Sequence, residues 1–167
     1  MILLTLAFLN KNVKAPETST TISGVFVFPV NSPSREFRYK DKTGALVATA
    51  KAEFSPFQVI IDVFDARGQK IGTIREQIFS SLFGVVNKYI IFDASNNKIA
   101  ETDKFQFVAT KFTITDNKRQ LVATISRPAF QLMTDKWTVS VHNSDVVDSR
   151  ILVVIAAFKT AEDNSDD

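Results

Sequence analysis

No cysteine occurs in the chain, which excludes disulfides, thiol nucleophiles and thiolate metal sites at once. The lack says little about compartment, because a domain of 167 residues buries core enough to do without covalent staples. Histidine occurs once, as His142, so a multi-histidine metal centre is excluded and a catalytic triad has no evident partners. Glycine occurs five times, and no glycine stands in a phosphate-cradling arrangement. A formal net charge of +2 projects no strong field toward nucleic acid, and the basic residues do not interleave with aromatics along one strip. No apolar run approaches the roughly 20 residues that a helix needs to cross a bilayer. A non-enzymatic protein is therefore expected, with no cofactor, no metal, no nucleic-acid partner and no transmembrane span.

What the chain does have is phenylalanine, fifteen in all, enough for a large and well-filled core. It also has a pattern written four times. Aligned on Asp41, Asp65, Asp93 and Asp116, each copy has a large apolar or aromatic residue four and two positions earlier. These residues are Phe37 and Tyr39, Ile61 and Val63, Tyr89 and Ile91, and Phe112 and Ile114. A period of two is the strand period. After each aspartate comes a short turn: DKTG, DARG, DASN or DNKR. Asp opens such a turn by accepting from amides just ahead of it, and Gly or Asn at the fourth place takes a positive φ cheaply. In the last copy Arg119 stands where glycine would be easier, so its turn is the one expected to differ in type.

Each copy thus predicts a β-hairpin. Further strands are expected from GVFVFPV (24–30), FQFVA (105–109) and KWTVSVH (136–142). The spacings of 24, 28 and 23 residues are too irregular for a solenoid and fit consecutive hairpins in one antiparallel sheet. A sheet of about ten to twelve strands tends to curl or close, which also removes its edges.

Residues 151–158 break the strand pattern. All eight are apolar, between Arg150 and Lys159, and have no polar face on either period. Such an element must be enclosed all round, as a buried strand or a short buried helix. The small residues decide for the helix. Ala48, Gly72, Ala100 and Ala123 recur seven positions after the aspartates and would clear a channel for it. The preceding Val47, Ile71, Ile99 and Val122 would then point outward unless a bulge follows each turn.

The ends are less regular. Residues 2–9 are apolar and Val13-Lys14-Ala15 resembles a leader cleavage site, yet no Lys or Arg precedes the run. Residues 1–15 thus read as a signal peptide or, slightly better, as an N-terminal strand or docked segment. The expected division is an N-terminal segment 1–22, a β domain 23–160 and an acidic, disordered tail 161–167.

The hairpins of form F-x-Y-x-D-x-x-G, the stretch GTIREQ (72–77) and the ending DKWTVSV…LVVIAAF resemble the LURP-one-related proteins. These belong to the tubby C-terminal-like superfamily, with the phospholipid scramblases. The resemblance covers residues 35–163 and is most specific over 135–158. It implies a mainly β fold, a closed antiparallel β-barrel of about 12 strands enclosing a hydrophobic C-terminal helix. Tubby relatives bind phosphoinositide headgroups through basic residues on the barrel. Scramblases add palmitoylated cysteines and a calcium-responsive segment. The cysteines are missing here, and no phosphoinositide motif matches residue by residue. The resemblance therefore implies a binding module, with an anionic phospholipid headgroup at a membrane surface as the expected ligand. Such a module would be a monomer in the cytoplasm, peripheral to a membrane. The alternative is a structural or protein-interaction domain without a small ligand, exported if 1–15 is a leader.

The candidate anion-binding residues are Lys111, Lys118 and Arg119 around the fourth hairpin, with Arg67 and Lys70 flanking the second. Clustered at one barrel end, they would hold a lipid phosphate by charge-assisted hydrogen bonds. The plainer reading, favoured by the small net charge, is solvated turns and edges. DASNNKIAETDK (93–104) faintly resembles a calcium loop, but Lys98 and Lys104 stand where glycine and a bidentate glutamate belong, so calcium is not expected. Asp62 with Asp65, and Asp145 with Asp148, are acid pairs of the kind any chain with 18 carboxylates contains. Trp137 is expected in the core or at its rim, and His142 near the end of the same strand, packed or facing solvent.

Overall fold

The computed structural model describes residues 4–6, 24–27, 35–41, 43–55, 58–81, 84–106, 109–127 and 137–163. The four aspartate hairpins are its backbone. They join β3 (Arg35–Asp41) to β4 (Leu46–Ser55), β5 (Gln58–Asp65) to β6 (Lys70–Ser81), β7 (Gly84–Asp93) to β8 (Lys98–Thr102), and β10 (Lys111–Asp116) to β11 (Leu121–Ser126). The remaining strands are β1 (Leu4–Leu6), β2 (Gly24–Val27), β9 (Phe105–Gln106) and β12 (Thr138–Val141), followed by one helix, α1 (Ser149–Asp163). The strands form one antiparallel sheet in the order β1-β2-β3-β4-β5-β6-β7-β8-β10-β11-β12, with β9 beside the start of β7. The protein is mainly β. Among the described residues no ladder joins β12 back to β1, so hydrogen bonds do not close the sheet into a barrel.

The hairpins share one construction. The amide of the residue three beyond the aspartate donates to its carbonyl, from Gly44, Gly68, Asn96 and Arg119 in turn, at 3.0 Å each time. Those four residues hold φ of 86°, 79°, 64° and 63°. The fourth turn is therefore the same turn as the others, contrary to what Arg119 predicts from the sequence. Two amides donating to the Asp116 carboxylate hold Arg119 in a conformation that costs a non-glycine residue roughly 1–2 kcal/mol.

Past each turn the register slips by one residue. Tyr39 faces Ala48 but Lys40 faces Leu46, so Val47 is extra, and Ile71, Ile99 and Val122 are extra in the same way. These are β-bulges. Each lets its Val or Ile lie against the core while the next residue also turns inward. Ala48, Gly72, Ala100 and Ala123 are all buried, as the channel requires.

The helix occupies that channel. Residues 151–159 are nine in succession, each at most 3% exposed. At 3.6 residues per turn they cover every face of the helix, so α1 is surrounded over this stretch. Lys159, which reads as the polar boundary of the apolar run, is itself fully buried. Ile151 enters beside Gly72 near the aspartate turns. Phe158, at the other end of the run, packs its ring against Phe37, Phe54 and Tyr89. The helix runs to Asp163, three residues into the segment expected to be a disordered tail, and 164–167 lie outside the described residues. At the other end of the chain, Leu4–Leu6 pair with Gly24–Phe26, while the Ala15 cleavage question lies outside the described residues.

The fit is tightest at Gly72. A Cβ there would stand 2.6 Å from the Phe92 carbonyl oxygen and 2.6 Å from Ile151 Cδ1. Gly72→Ala should therefore lose about 1–3 kcal/mol of stability by overpacking, read as a lowered midpoint in urea. Arg119→Gly should gain about 1 kcal/mol by relieving the left-handed backbone, and an unchanged or lower midpoint would contradict the strain assigned to that turn.

Candidate functional site

Strand direction fixes which side chains can meet. β3, β5, β7 and β10 all run toward their aspartates, so the four turns lie at one end of the sheet. Every turn aspartate uses Oδ1 to accept two backbone amides, at positions +2 and +4. The pairs are Thr43 and Ala45, Arg67 and Gln69, Ser95 and Asn97, and Lys118 and Gln120, at 2.8–3.0 Å. The side-chain bond from Thr43, helped by the turn amides, holds the Asp41 carboxyl below its usual range, and the Asn97 side chain does the same for Asp93. The motif that dominates the sequence is thus a turn lock, satisfied within itself. The stretch that resembles a calcium loop is one such lock, with Asn97 Nδ2 donating to Asp93 Oδ2 at 3.0 Å.

The five candidate cations do not come together. Arg67, Lys118 and Arg119 sit exposed in two of the turns. Lys70 is close by but its ammonium is 2.7 Å from Asp62. Lys111 begins β10, and five residues of strand put it about 17 Å from Asp116, at the opposite end. The turn end is also balanced in charge. Asp41, Asp65, Asp93 and Asp116 lie among its cations, Lys98 pairs with Glu101 at 2.6 Å, and Arg150 forks onto Asp148 at 2.6 and 2.9 Å.

Lys111 has different company. Its end of the sheet also carries Lys104, whose ammonium lies 4.9 Å from the Phe79 ring centroid, and Arg127, whose guanidinium lies 5.0 Å from that of Trp137. Arg127 N–H donates to the Thr110 carbonyl at 2.7 Å, which holds the end of β11 beside the start of β10. Among the described residues neither Lys104 nor Lys111 makes an ion pair. Of the described acids there, Glu36 pairs with Arg38 at 2.7 Å, Glu76 is buried against Asn87, Asp103 accepts the Thr113 amide at 2.8 Å, and Glu53 lies exposed on β4.

A protein-family model, LURP-one-related, matches residues 29–158. The chain belongs to the LURP-one-related family. The tubby-like superfamily link is consistent with that membership. No curated protein and no solved structure matches the chain.

In this LURP-one-related domain the remaining polar candidates are packed or hydrogen-bonded within the fold. Trp137 is core, 1% exposed, and its ring neighbours Phe112. His142 follows β12, half-buried, with Nε2 3.2 Å from Thr124 Oγ1. Asp148 precedes the helix, accepts the Arg150 amide at 2.9 Å, and the Arg150 side chain holds its carboxyl below the ordinary range. Asp62 accepts from Thr73 Oγ1 as well as Lys70. Among the described residues no three His, Asp or Glu side chains are grouped to hold a metal, and no described helix is long and apolar enough to cross a membrane. Sequence reasoning missed Glu76 and Asn87, both buried, with Asn87 Nδ2 donating to Glu76 Oε1 at 2.7 Å. The signal was present: Glu76 shares the inward alternation of Gly72 and Ile74.

A folded-state carboxyl held low contributes stability that is present above the unfolded pKa and lost as pH falls through the folded one. Asp41, Asp93 and Asp148 all act in this sense, so stability should fall on acidification below about pH 4. Asp93→Asn keeps the amide acceptor and removes the titration. Its denaturation midpoint, followed from neutral to acid pH, should drop less than that of the parent protein.

Proposed function

We propose that this domain is a non-enzymatic binding module whose ligand is the anionic headgroup of a phospholipid at a membrane surface. The observation that carries this reading is the exposure of Lys104 and Lys111, without ion pairs among the described residues, at one end of the sheet. An exposed ammonium that pairs with no carboxylate among the described residues offers its donors to a phosphate. At the turn end the cations share their surface with four locked aspartates. Of the five residues singled out from the sequence, Lys111 is therefore the one this reading keeps.

The enclosure of α1 supports treating the curved sheet as a barrel of the tubby-like type. Such a module acts as a monomer in the cytoplasm, peripheral to a membrane. The second reading is a structural or protein-interaction domain without a small ligand, exported if 1–15 is a leader. It is supported by the exposed Phe54 and Ile78, which a protein partner would also cover.

Cosedimentation with phosphatidylserine-containing vesicles tests the proposal. Binding should be absent with phosphatidylcholine alone and should weaken as salt rises. At roughly 1 kcal/mol for each lysine near the surface, the double change Lys104→Ala and Lys111→Ala should weaken it by about tenfold or more. The pair Lys118→Ala and Arg119→Ala should do less. Equal binding to neutral vesicles, or none to acidic ones, would dismiss the headgroup.

A further inference from the structure

The end of the sheet that carries Lys104 and Lys111 has a second property that headgroup binding does not require. Phe54, Ile78 and Phe79 are 45%, 43% and 38% exposed. All three lie near the far ends of β4 and β6, away from the aspartate turns. Phe54 and Ile78 continue the inward rows Ala48-Ala50-Ala52 and Gly72-Ile74-Glu76, so they line the mouth of the channel that α1 fills. Phe54 packs its ring against Phe158 there, 6.3 Å between centroids, and still shows nearly half its surface. Phe79 faces the other way, out of the sheet, under the Lys104 ammonium. The turn end also exposes Leu46 and Leu121, 38% and 43%, but these begin β4 and β11, which do not pair, and each stands beside a charged turn rather than beside another exposed apolar side chain.

Charge selects the occupant of this rim. A water-soluble partner needs apolar anchors and no particular sign, whereas a bilayer interface offers acyl chain below and anionic phosphate above. Lys104 stands over Phe79 and Lys111 lies at the same end of the sheet, where their ammonium groups would reach phosphate while the rings go deeper. We infer that the channel mouth is a membrane-insertion rim, in which Phe54, Ile78 and Phe79 enter the acyl boundary of an anionic bilayer and the aspartate turns point away from it. This rests on the lipid reading above and adds the depth and the orientation.

The absence of cysteine makes the test direct, because a single introduced thiol is the only one to label. An environment-sensitive fluorophore is placed in the full chain at Ile78→Cys, at Phe79→Cys or at Lys118→Cys. On phosphatidylserine-containing vesicles the first two should shift to the blue and gain intensity, and the third should not. Phe54→Ser with Phe79→Ser should leave low-salt vesicle binding within a few-fold and abolish the part that persists at high salt. Each variant is first checked for cooperative unfolding, and the labels report on chains with an unaltered rim elsewhere. Vesicle binding without a shift at 78 and 79 would refute insertion and leave the headgroup reading standing. A shift at 118 in place of 78 and 79 would refute the orientation. Labels at 78 and 79 that are already blue-shifted without vesicles, and lose the shift on dilution, would give the rim to a second copy of the chain and overturn the proposal. No vesicle binding at all would remove both readings together.

Discussion

Enclosing a helix that has no polar side is the requirement on which everything else in this protein depends. Residues 151–158 offer water no polar side, so the sheet must curve around them, and it must give way where they pass. Both needs are met by one device used four times. A locked aspartate turn reverses the chain, a bulge follows, and a residue no larger than alanine then faces inward. Burying the helix is a gain from area, but fitting it is a matter of tenths of an ångström at Gly72, where the Phe92 carbonyl and Ile151 leave no room for a methyl group.

Most of that logic is legible in the amino-acid sequence. The apolar pairs ahead of each aspartate, the Val or Ile six positions after it and the small residue at the seventh point to hairpins, bulges and channel together. The alternation alone places Val47, Ile71, Ile99 and Val122 in conflict with their neighbours, and an extra residue in the strand is the physical resolution of that conflict. Arg119 misleads because side-chain propensity at one position is weak against two amides donating to the Asp116 carboxylate. Lys159 misleads because a charged residue at the end of an apolar run reads as its boundary, while the helix carries it one step further into the enclosure.

The site is less legible, and the reason is geometric. Proximity in sequence suggests that Lys111 belongs with Lys118 and Arg119. A strand separates what a helix or loop would gather, and Lys111 stands at the other end of β10. Conversely, Phe54, Ile78 and Phe79 come from two strands whose far ends meet only once β5 is laid between them. Turn chemistry is local and announces itself. An end of a sheet is assembled from pieces far apart in the chain and has no motif.

The order of elements along the chain has its own outcome. Every described strand is made before the helix, so during synthesis the hairpins leave the ribosome with nothing to wrap around. Each can form locally, but the concave side stays greasy and unfilled until residues 151–159 follow the strands out. Until then this surface is open to chaperones and to neighbouring nascent chains. Folding is thereby gated by an element translated after all of its strands, and a ribosome that stalls ahead of it leaves behind a species suited to aggregation.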